Sequence, residues 1–322
     1  MLLSLQETTE TIEKGRYLTI AGDEKLLSNL PKGNWIGGTI PYFMSEDGWK
    51  ITRDRLYVND VTDWILGATI KSYELDDLPK INEDSPDHGF SVLIIPFASP
   101  AHIAYAQDAP NYQGFFMKPI VGWISGVHLD DLGVASPKVF SGLTGNNSDK
   151  KAIAMHCQID KGKTAIVNIL NFFKQGSGDA IKFEEDGFIV RNCLVNGEQR
   201  NFAEYIEVNK IDTRLPLVAD YCGAMINVSF QGVNESEGAV NLYAPVFKGV
   251  EYKIAAQVDN YVEDFKKVMP QNASPIFCCN CILNFLYSEL EGQVIEKMYG
   301  PITFGEIAYQ LVNQTLVYLE IK

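Results

Sequence analysis

The stretch Phe90–Phe97 reads FSVLIIPF, a near-continuous apolar run of eight residues. It has the length of a strand and lacks the polar alternation of a half-exposed one. It therefore reads as a buried strand covered on both faces. Such a strand demands packed material on either side. A chain of 322 residues can supply it, because a chain of that size buries about three quarters of the surface its unfolded form exposes. Its 46% hydrophobic and 21% charged residues fit a globular protein.

The segments around this run follow two periods. RYLTIAG, GNWIGGTIPYFM, WKITRDRLYVND, ILGATIKSYE, PIVGWISGVH and KAIAMHCQI read as strands, as do KTAIVNILNFF, KFEEDGFIVRNCLV and AMINVSFQGV. Helices are expected in TTETIEK with Thr8 or Thr9 as cap, and in DEKLLSNL behind Asp23. Others are expected in SPAHIAYAQDAP with Ser99 as cap and Pro100 at the first position, in NFAEYIEV, and in DNYVEDFKKVM. SPIFCCNCILNFLYSELEG reads as a buried strand running into a helix that ends at Gly292. At least ten strands with helices that do not follow them one for one give an α+β fold with mixed, largely antiparallel sheets flanked by helices. A weak boundary near Gly142–Lys151 divides residues 1–145 from 146–322, unless the whole is one continuous module. GGTIPYFMS…RLYVNDV near the start loosely echoes GPITFGEI…TLVYLEI at the end, which two related lobes would explain.

The formal net charge of −14 argues against nucleic acid and against docking on anionic lipid by charge. No run approaches the roughly 20 apolar residues of a membrane span. The first residues, MLLSLQETTETIEKG, lack a basic leader. A cytoplasmic protein with reduced cysteines is expected. Nucleotide-binding and nucleophile-elbow signatures are absent.

Among candidate sites, Cys278 and Cys281 have zinc-like spacing, but no second pair exists and the setting is apolar, which favours core thiols. A reactive thiolate at Cys279 or Cys281, near a helix start, is the basis of a thiol-enzyme alternative. His102 and His128 are candidate axial ligands in a haem-sensor alternative, against the plainer reading as packed or loop histidines. Glu306 is different. If ITFGEIA is a strand, Ile302, Phe304, Glu306 and Ala308 share one face. A carboxylate there is dehydrated unless a partner meets it. If a helix begins at Gly305 instead, Glu306 only favours its dipole.

GPITFGEIAYQLVNQTLVYL, Gly300–Leu319, resembles the C-terminal signature of FIST-domain proteins, with Gly305-Glu306-Ile307, then Asn313-Gln314-Thr315, then Leu316–Leu319 in the matching places. IFCCNCILNFLYSELEG is similar to the family's strand ending in Cys and following helix, with Cys279 in the matching place. The family's Gly-Arg after that Cys is replaced by Cys281-Ile282. The resemblance covers about 50 residues. It implies a FIST N-like half over residues 1–145 and a FIST C-like half over 146–322. It also implies a non-catalytic sensory and signalling protein of a kind found in bacteria and eukaryotes. Such a protein binds an amino-acid-like or cationic small molecule and signals through a separate output protein. The ligand pocket is expected near Glu306, Gly305, Tyr309, Cys279 and the Gly37-Gly38 strand.

Overall fold

The computed structural model describes residues 1–322 except 222, 259, 271, 288–290, 295 and 296. The helix expected to end at Gly292 spans Ile282–Tyr287; residues 288–290 after it lie outside the described residues, as does Cys222, and Gly292 is in a turn with φ 76°. The chain forms two compact units. Unit 1 comprises residues 1–169, 270–311 and 316–322; unit 2 comprises 170–269 and 312–315. These units do not follow the 145/146 boundary read from the sequence, because unit 1 gathers both ends of the chain.

In unit 1 the apolar run becomes the strand Gly89–Pro96, buried at every position. It pairs in parallel with Ile120–Ser125 and antiparallel with Ala152–Gln158. Gly67–Tyr73 extends this sheet beyond Ala152–Gln158, and Glu306–Ala308 extends it beyond Ile120–Ser125. A second sheet is built around Leu18–Gly22 and Trp35–Thr39, which are parallel, with Leu56–Asp60 and Val139–Ser141 outside them. A third joins Leu316–Ile321, Phe277–Cys281, Gly300–Thr303, Tyr42–Ser45 and Gly48–Ile51.

The first two sheets pack at very short range, and glycine is why. A Cβ on Gly38 would lie 2.8 Å from Ile94 Cγ2 and 3.0 Å from Trp123 Nε1. A Cβ on Gly126 would lie 2.4 Å from the Phe304 ring. Gly126 N also donates to Thr39 O at 2.7 Å. The helix Pro100–Asp108 packs on the Gly89–Pro96 strand and buries Ala101, His102, Tyr105 and Ala106.

Unit 2 is also mixed in element type. Glu198–Asn201, Asn192–Val195, Ile181–Lys182, Glu251–Ile254, Leu217–Tyr221 and Ala224–Val228 form one antiparallel sheet. Gly187–Val190, Ala239–Val246 and Phe230–Asn234 form another. The helix Tyr261–Val268 lays Tyr261 and Phe265 against Phe172. The fold is α+β with mixed, largely antiparallel sheets, as the pattern of elements implies.

Several local expectations shift. The first helix, Leu5–Glu13, is capped by Ser4 rather than by Thr8 or Thr9, because Glu7 at the third position closes a capping box with Ser4. Thr8 is instead buried in the helix and donates to Ser4 O. WKITRDRLYVND is two strands, Gly48–Ile51 and Leu56–Asp60, in different sheets. ITFGEIA is also two: Gly300–Thr303 lies in the third sheet, while Glu306–Ala308 lies in the sheet of Gly89–Pro96. Ile302 and Glu306 therefore do not share a strand face. The two echoing segments are neighbours, with Gly300 opposite Met44 and Pro301 opposite Phe43 in one antiparallel pair.

Gly38→Ala should cost about 1–3 kcal/mol of stability, since the new methyl meets a close-packed core. Gly67→Ala, which meets nothing within 4 Å, should be nearly neutral. Urea unfolding of both variants checks this, and equal midpoints would remove the packing account of Gly38.

Candidate functional site

Glu306 is fully buried, at 0% exposure, and lies in a strand rather than at a helix start. It sits opposite Trp123 in the ladder, so the two side chains share a face. The chain reaches it by crossing between sheets: Phe304 N donates to Ile124 O and Ile124 N donates to Gly305 O. Thr303 Oγ1 lies 3.0 Å from Gly305 O, 3.2 Å from Asn280 O and 3.5 Å from Glu306 Oε1. On the same face, Trp123 Nε1 and Ser125 Oγ are buried donors without a hydrogen-bond partner among the described residues.

Cys279 is drawn to the same region. Its Sγ donates to Gly122 O at 3.2 Å. Burial raises its pKa well above the ordinary thiol value, and the nearby Glu306 charge raises it further. A thiol held in that state is a poor nucleophile, because the thiolate is the reactive form. Cys281 is buried at the strand end, where its N–H donates to Asn280 Oδ1. No group of three or more His, Cys, Asp or Glu side chains among the described residues is placed to hold a metal ion.

The remaining expected pocket residues disperse. Gly37 and Gly38 serve strand and sheet packing; a Cβ on Gly37 would lie 2.9 Å from Ile20 O. Tyr309 turns the chain in a left-handed conformation with φ 62°. Its carbonyl accepts from Tyr105 Oη at 2.6 Å, and its ring meets Phe116. So Glu306, Gly305 and Cys279 come together, while Tyr309, Gly37 and Gly38 serve other contacts.

The two histidines have packed roles. His102 is buried in the first turn of Pro100–Asp108, where its Nδ1 accepts from Ala98 N at 3.2 Å. Burial pushes its pKa down to about 4. His128 stacks on Tyr42 at 5.6 Å and accepts from Asp130 N through Nδ1. It borders a crevice at the ends of Leu18–Gly22, Trp35–Thr39 and Ile120–Ser125, also lined by Asp23, Glu24 and Asp131. That crevice holds only about 40 Å³, far below the roughly 300 Å³ of a small-molecule site.

A larger opening lies in unit 2, where the sequence reading placed nothing. It is a cleft of about 510 Å³ lined by Asp179, Asn196, Glu198, Arg200, Glu204 and Tyr205, with Val195 and Val208 supplying apolar wall. Local chemistry builds it. Asn196 and Gly197 both have positive φ, at 51° and 91°, and make the tight turn between Asn192–Val195 and Glu198–Asn201. Asn201 caps the next helix, Phe202–Val208, by accepting from Glu204 N. The helix buries Phe202, Ala203 and Ile206 and turns Glu204, Tyr205 and Val208 to the cleft. Tyr205 Oη donates to Asp179 Oδ2 at 2.8 Å and Asn196 Nδ2 donates to Asp179 Oδ1 at 2.7 Å. Burial first, then the Asp179 contact, raises the Tyr205 pKa and keeps the phenol protonated. Arg200, the only cation among the described residues of the wall, is bound to Glu198 at 2.7 Å. The signals that could have found this cleft were the Asn-Gly turn in LVNGEQ and the two-faced helix after it.

A second opening of about 510 Å³ in unit 1 is lined by Glu46, Asp47, Tyr57, Asn59, Asp60 and Tyr299 together with the first two residues. Neither of these openings, nor the His128 crevice, is lined by Glu306, Gly305, Tyr309, Cys279, Gly37 or Gly38.

Residues 3–322 match the model of a family of unknown function, DUF6976. The chain belongs to DUF6976. No curated protein matches the sequence. The match spans both units of this DUF6976 chain, so its family relationship includes the cleft as well as the interior around Glu306. No helix among the described residues is long and apolar enough to cross a membrane.

Two outcomes follow for this DUF6976 protein. Iodoacetamide at pH 7.5 should leave Cys279 and Cys281 unmodified in the folded chain and label both in guanidinium. Peptide mass mapping reads this, and labelling of native Cys279 at the rate of a free thiol would revive the thiol enzyme. The His102 pKa lies below its unfolded value near 6.5, so the unfolded chain takes up more protons between pH 6.5 and 4. Stability tied to His102 is thus fully present above pH 6.5 and falls with pH through that window, by about 3 kcal/mol in all. His102→Gln should flatten the thermal-stability curve between pH 6.5 and 4.5; an unchanged slope would contradict this account.

Proposed function

We propose that this chain is a non-catalytic protein that binds a small cationic or amino-acid-like ligand, and that the cleft of unit 2 is where it binds. The observation that carries this reading is the wall of the cleft. Asp179, Glu198 and Glu204 face an opening in which Arg200 is the one cation among the described residues and is already paired. An ammonium entering there exchanges hydration for carboxylate oxygens that water still reaches, and the Tyr205 phenol and Val195 and Val208 can contact its carbon chain. The volume is within the usual range for small-ligand sites.

The interior around Glu306 supports a different role. A carboxylate at zero exposure meets a ligand only if packed strands part, so it is assigned to the architecture of unit 1 rather than to the site. The likeness of Gly300–Leu319 to the FIST signature supports the same class of function, a sensor whose ligand state passes to a separate output protein. It does not supply the position of the site.

Spermidine, putrescine, lysine and arginine serve as probes in thermal shift and calorimetry. A ligand at 100 times its dissociation constant should add about 2.7 kcal/mol of stability. Asp179→Asn combined with Glu204→Gln should abolish the shift, and Glu306→Gln should leave the affinity unchanged. Binding that survives the double substitution, or is lost in Glu306→Gln at normal stability, would move the site away from the cleft.

A further inference from the structure

Beneath the helix Lys80–Asp84 in unit 1, five side chains form a continuous line of short contacts. Tyr73 Oη is 2.8 Å from Asp84 Oδ2 and 2.6 Å from His156 Nε2. His156 Nδ1 is 2.7 Å from Ser91 Oγ. Ser91 Oγ is 2.7 Å from Ser85 Oγ, which is 2.8 Å from Ile81 O, a carbonyl in the last turn of the helix. Ser85, Ser91 and His156 are buried, at 2%, 0% and 4% exposure, and Tyr73 is at 0%. The placement follows from register: His156 stands directly opposite Ser91, and Thr69 to Tyr73 run along the other side of the same strand.

The protons do not add up in the neutral state. Asp84 only accepts when ionised. It is held ionised because hydrogen bonds from Lys71 and Tyr73 outweigh the burial that raises its pKa. Tyr73 therefore gives its proton to Asp84, and His156 Nε2–H must donate to Tyr73. The bare Nδ1 then takes the Ser91 proton, and Ser91 takes the Ser85 proton. No hydroxyl proton remains for Ile81 O, which keeps only the Ser85 N–H although Ser85 Oγ stands 2.8 Å away. Five contacts share four protons.

One more proton completes the line. An imidazolium donates from both nitrogens. His156 Nδ1–H then donates to Ser91, Ser91 to Ser85, and Ser85 to Ile81 O, with every contact filled. The charge faces Asp84 through one phenol. Burial is the main force against that charge; Lys71 and Lys118 also oppose it, and Asp84 favours it. Lys71 is itself bound to Asp84 and lies over the Tyr73 ring, and Lys118 is bound to Ser85 O and to Asp87. Asp77 adds negative potential at Tyr73.

We infer that Asp84, Tyr73, His156, Ser91 and Ser85 form a proton-operated relay. Uptake of one proton by His156 reverses the hydroxyls of Ser91 and Ser85 and adds a hydroxyl bond to Ile81 O, which already accepts from Ser85 N at the end of Lys80–Asp84. The relay is a pH-responsive device distinct from the cleft of unit 2, and no residue of one lines the other.

The test is nitrogen NMR of the histidine rings in the full chain across pH 3.5–8, with amide shifts of residues 81–85 followed in parallel. Neutral His156 should be the Nε2–H tautomer. On titration the Ile81 to Ser85 amides should move with the same midpoint. Ser91→Ala removes the near acceptor for Nδ1–H and leaves only Ser85 Oγ at 3.5 Å, so the proton affinity of His156 should fall at least threefold. In a passive network Ser91 serves only as donor to neutral His156, and its loss would raise that affinity. Ser85→Ala, which cuts the far end, should also lower it and serves if Ser91→Ala does not fold. An affinity that rises or stays constant in the folded variant, the Nδ1–H tautomer at neutral pH, or amides 81–85 that ignore the titration would each overturn the relay.

Discussion

The rest of unit 1 depends on one close approach: the strand Gly89–Pro96 is sealed between the Trp35–Thr39 strand and the Pro100–Asp108 helix. An all-buried strand contributes stability only if both faces are covered at interior density. Gly38 permits that on one side, since its missing side chain lets Ile94 and Trp123 occupy the space. Gly126 does the same for Phe304 just beyond the end of Ile120–Ser125. A dry interior is the result, and it sets the cost of every polar group placed inside it. Glu306, His156 and Asn280 are all buried in unit 1, so each must be held by local geometry rather than by water.

Local physics was legible in the sequence. The cap at Ser99 with Pro100 behind it, the cap at Asp23, and the burial of FSVLIIPF each depend on a few adjacent residues, and all are present. The burial of Glu306 was only half legible, because spacing allowed either a buried strand face or an exposed first turn of a helix beginning at Gly305, and the structure has the strand. What the sequence did not reveal was where strands change partners. ITFGEIA alternates as one strand would, and nothing in its pattern marks the step at Phe304–Gly305 from one sheet to another. That step is set by Gly126 making room for Phe304, some 180 residues away by sequence numbering.

The Asn313-Gln314-Thr315 segment shows the same limit. In sequence it is a polar interruption before a final apolar strand. In the structure residues 312–315 belong to unit 2, and all three polar side chains are buried. Ser229 donates toward Asn313 Oδ1 and Gln314 Oε1, Asn227 Nδ2 approaches the carbonyls of both, and Gln314 Nε2 donates to Arg214 O. Amides of this kind fix one register, because a shifted strand would strand several donors at once. Their residue types signal recognition of a ligand in one setting and of the chain itself in another; partners about 85 residues away decide which.

The contrast between Glu306 and the carboxylates of the unit 2 cleft is energetic. Two opposite unit charges 4 Å apart attract by about 4 kcal/mol at an effective dielectric constant of 20. A ligand ammonium reaching Glu306 would have to lose all its hydration and also part strands that exclude solvent, and such penalties exceed that attraction. On the proposed reading, neither an ammonium nor the carboxylates of Asp179, Glu198 and Glu204 need be stripped of water completely, so a weaker attraction in a wetter place would leave a net gain. A buried carboxylate is therefore the more conspicuous feature in sequence and the poorer binding group, while the cleft proposed to bind is assembled from an unremarkable turn, a cap and one face of a seven-residue helix.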